Sequence, residues 1–371
     1  MPETTDALDR LIDYQIGAAH YPGALVHVER DGTVLARRAA GRLRPDADTP
    51  MPWDALFPIA SLTKPVVSAA AMMLVDEGRL ELDAPVAEYL PEIDALRMIS
   101  GERPRRAPSI RDLLRHTSGF GYVGEIRDAG VRALAAKANL DGRLRGMTTD
   151  EFLAALAALP LAVEPGTRFV YGLSTDVLGV VLEKLDGRPL GEVLRRRLFD
   201  PLGMRDTGFG VPAADRGRLA AAFASDAVWA VMAKLFGEPS RMDSGGGGLF
   251  ATIDDYARFA RFIAAGGRLG EERLISAASF EEMARDQLPT GLDGPSGYTG
   301  PGFGFGLGFA VRLDWGAGAM PCKAGELAWS GVTGTALFVH PAERWFAVCF
   351  TCNNASRMMA RMELRRALAR L

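Results

Sequence analysis

Apolar residues recur along this chain with two periods, and the two periods occupy different stretches. Residues 6–19 carry the pattern of an amphipathic helix. Residues 24–30 and 33–40 read as strands on either side of Asp31-Gly32, a hairpin turn signal. A helical stripe of Val66, Val67, Ala70, Ala71 and Leu74 follows and ends near Gly78. From about residue 85 to 245 helical patterns dominate, broken by Pro- and Gly-rich loops. The clearest covers 174–186, with Val177, Leu178, Val181, Leu182 and Leu185 on one face and Gly187 as its stop. Residues 256–265 are helical again. Strand patterns return at 304–312, 327–330, 335–340 and 345–352, and a helix over 355–371 closes the chain.

Strands joined by tight turns, such as Pro341-Ala342-Glu343, pair antiparallel. With strands at both ends and helices between, the predicted fold is α/β (α+β): one antiparallel sheet built from both termini and flanked by helices. Residues 1–84 and 246–371 form that unit, and 85–245 an inserted all-α subdomain, with the site in the cleft between them.

Composition narrows the function classes. The chain has 371 residues, is 48% hydrophobic and 24% charged, and carries a net charge of −3. That is the profile of a globular enzyme, with no global electrostatic case for nucleic acid or an anionic membrane. Arg103, Arg105 and Arg106 fall in a Pro-rich loop and Arg195, Arg196 and Arg197 on a helical face, both read as solvated. No run is long and apolar enough to span a bilayer, and the polar N-terminus lacks a secretory leader pattern, so the expected compartment is cytoplasmic. The three cysteines, Cys322, Cys349 and Cys352, fit a reducing compartment. Cys349 and Cys352 lie three apart on a strand, facing opposite sides, so neither a disulfide nor a zinc site is expected there. Ser244-Gly245-Gly246-Gly247-Gly248 is not a nucleotide-binding glycine pattern.

The candidate chemistry sits at Ser61-Leu62-Thr63-Lys64. A lysine three residues after a serine at the head of a helix shares its face and supplies the hydroxyl with a base. The S-x-x-K tetrapeptide alone is common, and its plain reading is a capping serine and a solvated lysine. A Ser-His-Asp triad is disfavoured because no G-x-S-x-G pentapeptide occurs.

The downstream motifs change the balance. Ile59-Ala60-Ser61-Leu62-Thr63-Lys64-Pro65 resembles the first motif of the class C β-lactamase-like and penicillin-binding serine hydrolases. Leu113-Leu114-Arg115-His116-Thr117-Ser118-Gly119 resembles their L-L-x-H-T-S-G segment, and 164–171 their P-G-x-x-F-x-Y approach to the second motif. Leu202-Gly203-Met204 with Thr207, and 246–256, resemble two further segments in family order. The second motif, Y-x-N in those lactamases, reads Tyr171-Gly172-Leu173, and the third, usually K-T-G, reads Trp329-Ser330-Gly331-Val332. Loss of the amide and the cation implies a weak grip on an anionic β-lactam. The set looks most like the family VIII carboxylesterases and related acyltransferases.

The resemblance implies a serine carboxylesterase acting on short-chain acyl esters through a Ser61 acyl-enzyme. Lys64 or Tyr171 takes the serine proton, and the backbone N–H groups of Ser61 and Val332 hold the oxyanion. Acyl transfer to an alcohol or amine, a weak β-lactamase or D-peptidase, and an acylated sensor that does not turn over remain as alternatives. Neither cofactor nor metal is required; the only partner expected is a small acyl ester, and the oligomeric state is open. Trp329, Ser330, Gly331 and Leu173 are candidate substrate contacts, with Phe120, Tyr122, Trp229 and Phe236 as possible walls. Trp329 reads equally as packing at a strand end. His116 is read as structural, bonding a loop.

Overall fold

The computed structural model describes residues 2–140, 144–230, 240–313 and 321–369. Helix α1 (Pro2–Gly17) leads into strands β1 (Gly23–Arg30) and β2 (Thr33–Gly41). Asp31 and Gly32 both take positive φ, 49° and 76°, as the hairpin's two-residue turn requires. Helix α2 (Thr63–Asp76) follows, then α3 (Ser174–Asp186) and α4 (Ile253–Ala264). Strands β3 (Phe303–Phe305), β4 (Ala310–Arg312), β5 (Leu327–Ser330), β6 (Ala336–His340) and β7 (Trp345–Thr351) precede helix α5 (Arg357–Leu368).

The seven strands form one sheet in the order β2-β1-β7-β6-β5-β4-β3, every neighbouring pair antiparallel. N- and C-terminal segments therefore meet at β1 and β7, where Ala24 pairs with Thr351 and Arg30 with Trp345. β7 is buried along its whole length because both faces are covered. Phe350 faces α4, its ring 5.8 Å from Tyr256, whereas Cys349 and Thr351 point to the side of α1 and α5. Cys349 and Cys352 are free thiols. Between residues 59 and 249 the described residues form no strand, only helices, turns and isolated bridge pairs.

One expected element is two. Residues 304–312 do not make a single strand; β3 and β4 pair with each other across Gly306-Leu307-Gly308. Gly308 has φ 99°, and a Cβ there would lie 2.4 Å from the Ser68 side chain on α2. The chain folds back where it meets that helix, and the apolar run conceals the turn. The closing helix is also shorter than its pattern, covering Arg357–Leu368.

Candidate active site

Ser61 lies in a single 3-10 turn, Ala60–Leu62, that feeds α2. Ala60 before it takes φ 47°, a left-handed conformation that costs a non-glycine residue of order 1–3 kcal/mol and persists only where surroundings fix it. Those surroundings are present. Thr63 Oγ1 donates to the Ala60 carbonyl at 2.7 Å, Tyr256 Oη to the Leu62 carbonyl at 2.8 Å, and Thr335 Oγ1 to the Ile59 carbonyl at 3.0 Å.

Lys64 is buried one turn on. Its Nζ donates to Ser61 Oγ at 3.5 Å, to Tyr122 Oη at 3.0 Å and to the Gly246 carbonyl at 2.6 Å. The Gly246 carbonyl can only accept and the two hydroxyls can accept as well, so the set fits an ammonium, which has three protons and no lone pair. Burial works against that charge, but the oxygens of Tyr122 and Tyr171 and the Asp176 carboxyl outweigh it and raise the lysine pKa above its usual value. Tyr122 is pushed up by its own burial, against the pull of Lys64.

Tyr171 follows the loop at Pro165-Gly166 and precedes α3. Its ring packs 4.8 Å from His116, 5.2 Å from Trp329 and 4.8 Å from Tyr298, centroid to centroid, with Lys64 Nζ 4.7 Å from its own centroid. Trp329 Nε1 donates to Tyr171 Oη at 3.3 Å. Gly172 lets this segment cross the backbone at Gly121 and Tyr122, since a Cβ there would lie 2.2 Å from the Tyr122 nitrogen. His116 is buried against Phe169, Tyr171 and Phe305, and burial, with Lys64, pushes its pKa well below the usual range. Its Nδ1 has no hydrogen-bond partner among the described residues, so the ring packs rather than bonding a loop through that atom.

These groups border a cavity of about 740 Å³ lined by Ser61, Tyr122, Tyr171, Trp329, Ser330, Gly331 and Val332 among others. Lys64 stands behind Ser61. Two expected contacts are elsewhere: Phe120 and Leu173 are 4% and 1% exposed and belong to the core, not to the cavity wall. Leu173 starts α3 with its N–H on the Phe120 carbonyl, which turns both side chains inward. Trp229 is likewise a core residue, with Ala227 and Val228 beside it on the wall. Phe236 lies outside the described residues. Gly331 does reach the wall, but its missing Cβ makes room for protein: one would sit 2.2 Å from Thr335 Oγ1 and 2.5 Å from the Ile59 carbonyl.

The sequence reading missed the support under Lys64. Asp176 Oδ1 accepts from Ser244 Oγ at 2.6 Å and from the Gly246 N–H at 3.0 Å, and the same residue presents its carbonyl to Lys64. A Cβ on Gly246 would meet Asp176 Oδ2 at 2.3 Å. The glycine run is thus a cradle between a buried acid and a buried cation. Burial raises the Asp176 pKa while Lys64 and its donors oppose the rise. Tyr298, also missed, closes over Tyr171 and donates its hydroxyl to Glu125. No His, Cys, Asp and Glu grouping suited to a metal occurs among the described residues. No helix there is long and apolar enough to cross a membrane.

Known proteins share this arrangement's frame. The sequence model of the family described as Beta-lactamase matches residues 8–371. Esterase EstB of Burkholderia gladioli is 36% identical over 361 residues, covering 90% of this chain and 87% of that protein. The solved structure of EstCE1, described as a hydrolase with promiscuous acyltransferase activity, superposes with a TM-score of 0.86 at 26% identity, over 99% of this chain and 98% of that one. Simvastatin synthase LovD from Aspergillus terreus shares the fold, with a TM-score of 0.80 at 21% identity over 99% and 98% of the two chains. A family match over that span, with an esterase 36% identical beside it, places the chain in the beta-lactamase family of serine hydrolases.

Proposed function

We propose that the protein is a carboxylesterase that cleaves short-chain acyl esters through an acyl-enzyme on Ser61. The observation that carries this reading is the indole of Trp329, which stands on the cavity wall and donates to Tyr171 where lactamases of this fold present a cation. With Leu173 in the core in place of an amide, neither the second nor the third motif offers a β-lactam its usual polar partners. A 36% identical esterase supports the same substrate class.

In this account Tyr171 is the base and Lys64 the fixed cation, because the lysine protons are committed to Ser61, Tyr122 and Gly246. Ser61 Oγ attacks the acyl carbonyl as its proton passes to Tyr171, which enters the step as the phenolate beside the Lys64 ammonium. The backbone N–H groups of Ser61 and Val332 receive the oxyanion, each worth about 3 kcal/mol in the transition state. The C–O bond to the alcohol then breaks, and the leaving oxygen takes the proton from Tyr171. Water, deprotonated by Tyr171, attacks the acyl-serine; the bond to Ser61 Oγ breaks, that oxygen takes the proton back from Tyr171, and the acid is released. Residues 1–84 and 246–371 form the sheet unit and 85–245 the helical insert, and the cavity wall draws on both.

Turnover of p-nitrophenyl acetate and butyrate, lost in Ser61→Ala, tests the reading; wild-type rates in that variant sink it. A kcat/KM for nitrocefin matching that for the esters would favour a lactamase instead. Acyl transfer is a second reading, favoured by the acyltransferase side activity of EstCE1. Partition of the acyl group to added alcohols separates it from hydrolysis.

A further inference from the structure

Strands β5 and β6 are joined through the turn Gly331-Val332-Thr333-Gly334, which closes with the Gly334 N–H on the Gly331 carbonyl at 3.1 Å. A peptide is planar and trans, so the Gly331 C=O and the Val332 N–H belong to one rigid unit and point in opposite directions. Whatever fixes or polarises that carbonyl acts on that N–H. Val332 lines the cavity, and among the described residues its N–H has no protein acceptor. Three further bonds hold the turn. Thr333 Oγ1 donates to the Pro58 carbonyl at 2.7 Å, which ties the turn to the segment leading to Ser61. Thr351 Oγ1 donates to the Gly334 carbonyl at 3.0 Å, and Asn354 Nδ2 to the Val332 carbonyl at 2.9 Å.

The Gly331 carbonyl has a second donor. Arg361 Nη2 reaches it from α5 at 2.9 Å. A hydrogen bond from an ionised donor is stronger than a neutral one, and hydrogen bonds in series polarise one another. The turn does not need this donor, because Gly334 already serves the same carbonyl. Nor does the surrounding protein repay the charge. Among the described residues Arg361 forms no ion pair with a carboxylate, its Nε is buried without a hydrogen-bond partner, and its Nη1 meets the Met358 sulfur at 3.6 Å. Arg357, one helical turn away, repels it. Burial, with Arg357 beside it, pushes the Arg361 pKa down to about 9, while Tyr171 pulls the other way. A buried cation without an acid costs stability. The shortest hydrogen bond of this one lies on the peptide that carries the Val332 N–H.

We propose that Arg361 is a positioning residue of the oxyanion hole: its charge-assisted bond to the Gly331 carbonyl aligns and polarises the peptide whose N–H, that of Val332, receives the oxyanion. The inference rests on the Ser61 reading for the reaction. An oxyanion exists in the tetrahedral states and not in the bound ester, so the arginine acts on turnover rather than on substrate binding. Arg361→Met keeps an apolar stem and removes donor and charge, and Arg361→Gln keeps a neutral donor. n-Propylboronic acid reads the tetrahedral state: Ser61 Oγ adds to boron, its proton passes to Tyr171, and a boron hydroxyl takes the place of the oxyanion. Calorimetry of phenyl butyrate on Ser61→Ala, with and without each arginine substitution, reads the ground state. In Arg361→Met, kcat/KM for p-nitrophenyl butyrate and boronate affinity should fall together by about tenfold to a hundredfold, part of what a whole oxyanion donor is worth. Arg361→Gln should lose less, and phenyl butyrate affinity should stay within about threefold in both. Arg361→Met should also melt at or above the unsubstituted enzyme, because it relieves an unpaired buried charge. If that variant does not fold, Arg361→Gln carries the same comparison. Boronate affinity within about threefold of the unsubstituted enzyme overturns the proposal, as does a fall in phenyl butyrate affinity that matches the boronate loss. Failure of the unsubstituted enzyme to hydrolyse any ester would count against the esterase reading and leave the boronate comparison standing. A boronate that does not bind the unsubstituted enzyme would sink both.

Discussion

The indole Nε1–H of Trp329 points at the Tyr171 oxygen over 3.3 Å. An indole can only donate, so Tyr171 accepts there, and that donor would stabilise negative charge developing on its oxygen. Replacing Trp329 with Phe keeps a ring against Phe305 and Tyr171 and removes that donor. A lost hydrogen bond of about 1 kcal/mol predicts a kcat/KM for p-nitrophenyl butyrate about threefold to tenfold lower. An unchanged value would reduce Trp329 to a packing residue.

Two tyrosines approach Lys64, and they should not be equivalent. Tyr122 accepts directly from Nζ, whereas Tyr171 faces it with its ring and receives the tryptophan N–H. If Tyr171 moves the proton, Tyr171→Phe should cost about 10²–10⁴-fold in kcat, the range for a general acid–base group. Tyr122→Phe removes one of three acceptors of Lys64 and should cost about tenfold. Steady-state kinetics of the two variants decide the order, and a reversed order would move the base to Tyr122.

Asp176 is a positioning residue that reaches Lys64 through Gly246, whose N–H it accepts and whose carbonyl accepts from Lys64, and by its charge. A carboxylate raises the pKa of a nearby ammonium, so Asp176→Asn should lower that of Lys64. Activity that requires the ammonium is then lost at lower pH, and the alkaline limb of the kcat/KM profile shifts toward neutrality. Asn can still accept from Ser244 and Gly246, which keeps the cradle. A profile lowered uniformly, with its limb in place, would show a purely structural role.

Asp112 ties down the segment leading to His116. It accepts from Arg106, from Arg115 at 3.0 Å, from Thr117 Oγ1 at 2.6 Å and from the Ser109 N–H at 3.0 Å. Burial opposes its charge, but Arg106, Thr117 and the Ser109 N–H outweigh it and hold its pKa at about 2, below the usual 3.8. A depressed carboxylate stabilises the fold above its unfolded pKa and ceases to do so as pH falls through the folded one. The contribution, about 2 kcal/mol, should be whole above about pH 4 and gone near pH 2. Thermal melts should show Asp112→Asn well below wild type at about pH 6, with the gap closing in acid.

Much of this was legible in the chain and some was not, for physical reasons. Hairpin 24–40, the strands at 327–352 and the helix at 174–186 carry strong periodicity and local turn chemistry, so they read directly. β3 and β4 did not, because their turn is imposed by Ser68 on a distant helix. The serine and lysine are one helical turn apart, and Tyr171 lies in a recognisable motif. Leu173 and Phe120 were misread as cavity residues because motif position does not say which way a side chain turns. Gly246 opens a segment of family-like sequence and Asp176 follows the second motif, but their place under Lys64, like that of Tyr298 over Tyr171, is set by tertiary contacts.

The central claim is a covalent intermediate on Ser61. Rapid quench of the enzyme with p-nitrophenyl butyrate, followed by peptide mass spectrometry, reads it directly. The account predicts a butyryl adduct on the Ser61 peptide of the unsubstituted enzyme, prolonged in Tyr171→Phe. Turnover with that peptide unmodified at every quench time, or an adduct on another residue that persists in Ser61→Ala, would contradict it.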